Sequence, residues 1–176
     1  MAEVWDHLKG IPQILGFRIS DSMAEIMMTD CGMSLYKFTK HSEFRKMSGY
    51  HRSCVAFDMF RQILLPLKLL HKKSYVHGDI KGDNVCVRKR NPNAPRQKCK
   101  RGQTYESEYE FTLIDFGVIS KFKLKKVPRT YDTVVGNLMF ATLRQLNCQQ
   151  TRFQDDIESL LFLVYQLIFG TLPWDE

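Results

Sequence analysis

The sequence has 176 residues, is 44% apolar and carries a formal net charge of +7. This length and apolar content suit one domain with a real core. No segment reaches the roughly 18 apolar residues of a membrane span, and five widely spaced cysteines without a C-x-x-C pair favour a reduced intracellular protein without structural zinc.

The first predicted elements are two short strands, residues 13–18 and 24–28, joined by a polar turn at residues 20–22. A helix is predicted over residues 55–72, because its apolar residues recur at helical spacing. Pro66 lies inside that pattern. An interior proline removes a backbone donor, so we expect either a bend there or the first turn of a second helix.

Two polar motifs flank the next predicted strands. Residues 77–84, named here the HGD loop, read H-G-D-I-K-G-D-N, and residues 115–117, the DFG turn, read D-F-G. The valines at 85 and 87 alternate as in a strand, and the apolar run of residues 111–114 is its predicted partner. The ordered combination H-x-D-[ILV]-K-x-x-N, then a strand ending in D-F-G, is far more specific than an isolated D-F-G.

Between these strands lies the basic inserted loop, predicted over residues 88–110. Residues 88–101 include seven lysines and arginines and no acid, a charge equal to that of the whole chain. Because prolines and polar residues occur there without periodicity, we interpret it as a solvated surface insertion. A bipartite nuclear-import signal is the alternative. Nucleic-acid binding is disfavoured, because aromatic residues for base stacking are absent.

The HGD loop and the DFG turn resemble the catalytic and metal-binding loops of protein kinases. Residues 26–35 look like the fifth strand and hinge of a kinase. Gly78 and residues 136–142 and 154–160 are similar to the casein kinase one and vaccinia-related kinase branch. The resemblance covers nearly the whole chain apart from the basic inserted loop.

The resemblance implies an α+β, protein kinase-like fold over residues 1–176, incomplete at both ends. Residues 1–35 would form a partial small lobe of two strands and the hinge, and residues 36–176 a partial, mainly helical large lobe. A helix over about residues 154–169, apolar on most faces, would be its buried central helix. Asp156 near its start would either cap the first turn or hold the backbone of the HGD loop, and both interpretations stay open.

The resemblance also assigns roles in phosphoryl transfer from Mg-ATP to a serine or threonine hydroxyl of a protein. Asp79 would receive or orient the hydroxyl as catalytic base, and Lys81 would face the transferring phosphate. Asn84 and Asp115 would hold Mg²⁺ with the hard oxygen ligands that it prefers.

Six residues are assigned to ATP binding: Met28, Thr29, Asp30, Cys31, Cys86 and Ile114. The first would guard the back of the adenine pocket, the next three would offer hinge backbone groups to adenine, and the last two would form the apolar floor. Ordinary positions in the strand core are the alternative for these side chains.

Gly78 stands where kinases regulated through their activation loop carry an arginine that pairs with a phosphate. Glycine cannot make that pair. We therefore expect that phosphorylation of Thr130, Tyr131 or Thr133 does not switch the protein by this route.

Some parts of a kinase are missing from these residues. None of the ten glycines forms a G-x-G loop over the phosphates, Lys9 is the only lysine before the hinge, and Glu3 is an insecure match for the helix glutamate. We expect a serine/threonine kinase whose 176 residues alone bind Mg-ATP weakly and turn over slowly. The alternative is a non-catalytic kinase-fold module that binds a partner protein through its exposed faces. Nucleus and cytoplasm are equally compatible with the sequence.

Overall fold

The α+β fold class is confirmed by the computed structural model, which describes residues 10–90, 107–122 and 130–175. The strands are β1 (Ile14–Ile19), β2 (Ala24–Met28), β3 (Met33–Ser34), β4 (Tyr75–Val76), β5 (Val85–Lys89), β6 (Tyr109–Leu113) and β7 (Ser120–Lys121). The helices are α1 (Leu35–Lys40), α2 (Ser42–Arg45), α3 (Gly49–Lys72), α4 (Leu143–Leu146) and α5 (Phe153–Phe169), with a 3₁₀ turn at Leu138–Phe140. None of the helices in these ranges combines the length and the apolar character needed to cross a membrane.

Strands β1 and β2 form the predicted amino-terminal hairpin. They pair antiparallel with Phe17 opposite Ile26, and the Ser20 N–H donates to the Met23 carbonyl (2.8 Å) to close the turn. Large apolar side chains on both faces are exposed, among them Phe17 on one face and Met27 on the other. The hairpin therefore depends mainly on its own ladder of hydrogen bonds.

A three-stranded sheet in the order β3-β5-β6 carries the strands that lead to the two polar motifs. The predicted pairing of the strand after the HGD loop with the strand before the DFG turn is confirmed, with Val87 opposite Phe111. Strand β3 pairs antiparallel with the other edge of β5, so the hinge enters the same sheet.

Strands β5 and β6 extend further into the predicted basic inserted loop than expected. Arg88 pairs with Glu110 and Lys89 with Tyr109 in the strand ladder, and the Arg88 guanidinium forms a 2.8 Å salt bridge with Glu110. The predicted bounds of the loop were therefore too wide at both ends, because the cross-strand charge pair of Arg88 and Glu110 lets these polar positions continue the ladder. Residues 91–106 lie outside the described residues.

Helix α3 begins earlier than predicted, since the Ser48 hydroxyl accepts a hydrogen bond from the His51 N–H (3.3 Å) and caps its first turn. It continues through Pro66 without interruption, so the predicted alternative of a second helix is wrong. Gly10 packs on the proline ring, and a Cβ added to this glycine would lie 3.2 Å from the ring. The chain before β1 therefore meets α3 at the turn where the proline lacks a backbone donor.

The core lies between α3, α5 and the sheet. Its deeply buried members include Met59, Ile63 and Leu67 of α3, Leu160, Leu163 and Leu167 of α5, and Val85, Phe111 and Leu113 of the sheet. Burial of α5 is one-sided, because Leu161 and Phe169 are exposed. The prediction of a helix buried on most faces was therefore right for one face and wrong for the other.

Asp58 on α3 fixes the chain where β6 approaches. Its Oδ2 accepts hydrogen bonds from the N–H (2.9 Å) and hydroxyl (2.6 Å) of Ser107 and from Gln62 Nε2 (3.0 Å). Gln62 also donates to the Tyr109 carbonyl (3.2 Å) and accepts from the Phe111 N–H (3.0 Å). Because a buried carboxylate needs donors to offset its desolvation, this network stabilises one particular docking of β6 on α3.

Candidate active site

The HGD loop runs from β4 to β5, and Asp156 of α5 holds its backbone. Asp156 Oδ2 accepts a hydrogen bond from the His77 N–H (2.9 Å), and Oδ1 accepts from the Gly78 N–H (2.8 Å). His71 Nε2 also lies 2.8 Å from Oδ2. The alternative of a helix cap is wrong, because Asp155 accepts from the backbone N–H of the N-cap residue (2.6 Å). Asp156 is therefore the link between α5 and the loop.

His77 is buried and connects the HGD loop to the DFG turn. Its Nδ1 accepts a hydrogen bond from the Asp79 N–H (3.3 Å), so Nε2 carries the proton and donates to the Ile114 carbonyl (3.2 Å). Burial lowers the pKa of His77, and the nearby Asp156 carboxylate opposes this only in part. The ring meets that of Phe116 edge on, with centroids 5.3 Å apart. A neutral imidazole therefore serves as a structural link.

Asp79 has one occupied and one free carboxylate oxygen. Oδ2 accepts hydrogen bonds from Lys81 Nζ (2.6 Å) and Asn84 Nδ2 (2.9 Å). Oδ1 is buried and has no hydrogen-bond partner within the described ranges. A buried carboxylate oxygen without a donor is unfavourable. A hydroxyl or water from outside the chain would satisfy it.

Gly136 lies beside that free oxygen. Its φ of +99° is left-handed, and an added Cβ would lie 2.5 Å from the Gly78 carbonyl oxygen and 3.5 Å from Asp79 Oδ1, so only glycine fits. Gln145 of α4 completes the contact, because Nε2 donates to the carbonyls of Gly78 (2.9 Å) and Val135 (3.3 Å). Sequence reasoning did not identify Gly136 or Gln145 as site residues, since no local pattern connects them to the HGD loop.

Asn84 and Asp115, the predicted metal ligands, are brought to neighbouring positions. The Asn84 carbonyl accepts a hydrogen bond from the Ile114 N–H (2.9 Å), and Asp115 follows directly. Asp115 is exposed with a left-handed φ of 63°, and its Oδ1 accepts from the Gly117 N–H (3.1 Å). In the described part of the chain, no three acidic, histidine or cysteine side chains form a metal cluster. One amide oxygen and one carboxylate make a partial set of hard ligands, which suits Mg²⁺ completed by phosphate and water oxygens.

Met28 and Thr29 lie at the end of the hairpin. Met28 ends β2 opposite Ile14, and its side chain is exposed. The Thr29 N–H donates to the Gln13 carbonyl (2.9 Å), and Gln13 N–H donates back to the Thr29 hydroxyl (3.1 Å). The Thr29 N–H is therefore already hydrogen-bonded within the hairpin. Of the predicted backbone contacts to adenine, the Thr29 carbonyl and the groups of residues 30–31 are left.

Asp30 and Cys31 lead from β2 into β3. Asp30 Oδ1 accepts a hydrogen bond from the Gly32 N–H (2.8 Å), and the Cys31 thiol lies 3.3 Å from the Thr29 carbonyl. Cys86 is buried on β5, and burial raises the pKa of both thiols. Ser34 lies opposite Cys86 in the β3–β5 ladder, so the end of the hinge and one predicted floor residue lie side by side.

The three candidate phosphorylation sites lie in the chain between the DFG turn and α4. Thr130 forms an isolated bridge with Gln149, and the Tyr131 N–H donates to the Cys148 carbonyl (2.7 Å). Thr133 is exposed. Part of this segment is therefore paired with the chain that follows α4.

Several predicted features fall beyond the described ranges, namely Glu3, Lys9, Cys99 and residues 91–101 of the basic inserted loop. The cysteines within those ranges, Cys31, Cys54, Cys86 and Cys148, are free thiols.

The family model for the protein kinase domain matches residues 14–176. Among curated proteins, the chain is 26% identical over 168 residues to a protein named as a casein kinase I from Caenorhabditis elegans, covering 93% of this chain and 44% of that protein. It is 24% identical over 171 residues to the serine/threonine-protein kinase spe-6 of the same organism, covering 95% of this chain and 40% of the relative.

A plant protein shows similar identity. The match to the casein kinase 1-like protein HD16 of Oryza sativa subsp. japonica is 26% identical over 155 residues, covering 85% of this chain and 19% of that protein. The chain therefore spans less than half the length of each of these three relatives.

Proposed function

This chain belongs to the protein kinase family, and from that premise we propose that it transfers a phosphoryl group from Mg-ATP to a serine or threonine hydroxyl of a protein. Its relatives carry casein kinase-like and serine/threonine kinase names. Such a reaction needs a group that positions the hydroxyl, cations near the phosphates and ligands that hold those cations. The HGD loop and the DFG turn contain residues of each required type.

The free Oδ1 of Asp79 is the observation that carries this proposal. Lys81 and Asn84 occupy Oδ2 and fix the carboxylate plane, while Oδ1 remains buried without a donor in the described part of the chain. Because Oδ1 is buried beside Gly136, the chain there would have to move for a substrate hydroxyl to donate to it. That hydrogen bond would satisfy the oxygen and orient the hydroxyl for attack. Asp79 would then accept the hydroxyl proton as catalytic base.

Asn84 and Asp115 would hold Mg²⁺, which when bound neutralises charge on the phosphates and orients them. Lys81 is partly exposed, and its Nζ could donate to the transferring phosphate while it keeps its contact with Asp79. Met28, Cys31, Cys86 and Ile114, with the backbone of residues 29–31, would bind adenine. These assignments follow from the family resemblance and from the side-by-side positions of the hinge and β5.

Turnover by the 176 residues alone should be slow. They contain no G-x-G motif, and Lys9 is the only lysine before the hinge, so the groups that usually position the α- and β-phosphates are not among them. Loss of one well-placed stabilising group can lower the rate by about 10²–10³.

Radiolabelled phosphate transfer to casein or to the chain itself tests the proposal. We expect slow transfer by the unmodified chain and none by Asp79→Asn or Asp115→Ala. Asp21→Asn, in the exposed turn of the hairpin, is the matched control and should transfer at the original rate. Equal transfer by Asp79→Asn would refute the assigned base.

Control by phosphorylation is proposed not to operate through residue 78, since Gly78 offers no cation to a phosphate. Thr130→Ala and Thr133→Ala should leave the transfer rate unchanged, whether or not the protein has been treated with another kinase. A large gain on phosphorylation that either substitution removes would contradict this.

A non-catalytic binding module is the second candidate. The exposed apolar side chains on both faces of the β1–β2 hairpin favour it, because such surfaces commonly contact partner proteins. Absence of both phosphate transfer and a Mg-ATP thermal shift, in a chain with intact folding, would support this candidate over the kinase. Under either candidate we propose an intracellular protein, in nucleus or cytoplasm, consistent with its free thiols.

A further inference from the structure

We propose that Gln145 is a positioning residue that holds the chain after the DFG turn against the HGD loop without any phosphate. The effect on rate rests on the proposed kinase function, whereas the mechanical link does not. The inference begins from Gly78, which lacks a side chain through which a phosphate could act. Its backbone carbonyl is instead bound by the side chain of Gln145.

Gln145 is buried and uses both ends of its amide. Nε2 donates to the carbonyl oxygens of Gly78 (2.9 Å) and Val135 (3.3 Å), while Oε1 accepts from the Thr142 N–H (3.0 Å). One neutral side chain thus joins the HGD loop to residue 135, just before the glycine that flanks Asp79. Because no ion takes part, the link does not depend on modification.

Residue 78 is fixed from two sides. Asp156 accepts a hydrogen bond from the Gly78 N–H (2.8 Å), and Gln145 donates one to the Gly78 carbonyl (2.9 Å). Asp79 follows in the chain, so the direction of its carboxylate depends on how these two bonds orient the preceding residue. A small rotation there would move the free Oδ1 away from the hydroxyl that it is proposed to receive.

Gln145 is itself held by a fixed support. The Thr142 hydroxyl donates to Asp155 Oδ1 (2.7 Å) and accepts from the Gln145 N–H (3.3 Å), which ties α4 to the start of α5. The adjacent carboxylates of Asp155 and Asp156 therefore bind two different segments. One holds α4, and the other holds the HGD loop that α4 contacts.

The approach between the two segments is close. A Cβ on Gly136 would lie 2.5 Å from the Gly78 carbonyl oxygen and 3.4 Å from Gln145 Nε2. Any larger residue at position 136 must separate these atoms. Gly136→Ala therefore breaks the same contact without changing Gln145.

Gln145→Glu is the sharpest test, because it keeps the size and the acceptor of the side chain and replaces its donor with an oxygen facing two carbonyls. Gln149→Glu is the matched control, since Gln149 Oε1 only accepts from Arg144 (2.8 Å) and a glutamate keeps that bond. Amide hydrogen exchange would be followed in residues 77–80 and 133–137. We expect exchange about tenfold faster in Gln145→Glu, the equivalent of losing one buried hydrogen bond, and no change in Gln149→Glu.

Gly136→Ala should accelerate exchange in the same two ranges, and the double variant should add little to either single change. In phosphate transfer, Gln145→Glu should lower kcat by about 10²-fold with KM for Mg-ATP unchanged. Unchanged exchange in both Gln145→Glu and Gly136→Ala would overturn the inference. Faster exchange in a chain that never transfers phosphate would refute the kinase function and leave the Gln145 link established.

Discussion

The HGD loop and the β1–β2 hairpin show two different ways of ordering a short segment. The loop has little regular structure, yet Asp156, Gln145 and His77 bind its backbone or tie it to the DFG turn. The hairpin is paired along its length, with one register shift between Ile14 and Gly16, but apolar side chains on both of its faces are exposed. Regular hydrogen bonding and firm tertiary attachment are therefore separate properties, and the polar motif has the second without much of the first.

This difference has a physical basis. Buried backbone groups without a ladder must find side-chain partners, and each such partner fixes one position of the loop. A two-stranded hairpin satisfies its own backbone but buries too little surface to be stable by itself. The predictions below compare equal substitutions in the two regions.

The largest difference in the free energy of unfolding should appear when a phenylalanine is truncated to alanine in the core and in the hairpin. Phe111→Ala, in the buried strand β6, should lower the free energy of unfolding by about 3–5 kcal/mol, because it leaves a cavity in the core. Phe17→Ala should change it by less than about 0.5 kcal/mol, since the Phe17 side chain is 76% exposed in the hairpin. Urea unfolding measures both. Similar costs would mean that the hairpin is packed more firmly than its exposure indicates.

A smaller difference in the free energy of unfolding is expected when an aspartate is replaced by asparagine in each region. Asp156→Asn turns one acceptor into a donor that faces a backbone N–H, so it should cost about 1–3 kcal/mol. Asp21→Asn, in the exposed hairpin turn, should have no measurable effect. Urea unfolding again gives the values, and a neutral Asp156→Asn would show that the loop backbone does not need the carboxylate.

The pH dependence of stability should come from the loop region. Because burial lowers the pKa of His77 below its ordinary value of about 6.5, the unfolded chain binds the proton more readily. The contribution of His77 to the free energy of unfolding is fully present above about pH 6.5. It is lost as the pH falls toward the lowered pKa, with a slope of at most about 1.4 kcal/mol per pH unit.

His77→Gln removes that titration, so its unfolding free energy should fall less steeply between about pH 7 and pH 5. The hairpin contains no histidine, and it should contribute nothing to the slope in this range. Equal slopes for the two proteins would contradict the assignment to His77.

The smallest effect concerns backbone strain. Within the described ranges the non-glycine residues with positive φ are Ser74, Asp115 and Cys148, and none lies in the hairpin. Cys148 has a φ of 54° just after α4, so Cys148→Gly should raise the unfolding temperature, by the equivalent of about 0.5–1 kcal/mol. Cys54→Gly, the same change inside α3, should lower stability by about 1 kcal/mol. A destabilising Cys148→Gly would show that the position is not strained.

The parts of the fold that local patterns determine were predictable. Two short strands with a polar turn indicated the hairpin, alternating valines and an apolar run indicated the β5–β6 pair, and helical spacing indicated α3. Helix α5 followed from its mostly apolar residues and from the resemblance. The HGD loop and the DFG turn followed from spacing and resemblance, and the structure brings Asp79, Lys81 and Asn84 into contact and Asp115 next to them.

What could not be predicted depends on partners far apart in the chain. Asp156 had two open interpretations, because a carboxylate at a helix start fits either a cap or a tertiary contact. Gln145 gave no signal, since its partner Gly78 lies 67 residues earlier. The exposed face of α5 was missed for a related reason, because an apolar pattern does not show which side meets the core.

The network around Asp58 has a consequence for how related sequences can differ. The two ends of the connection between β5 and β6 are secured by groups outside it: Asp58 binds Ser107, and the Arg90 N–H donates to the Glu108 carbonyl (2.8 Å). The strand ends on either side of residues 91–106 are thus held together by contacts among the described residues. The entropy of loop closure changes slowly with length, so related sequences should tolerate insertions and deletions between residues 90 and 107 with little loss of folding free energy.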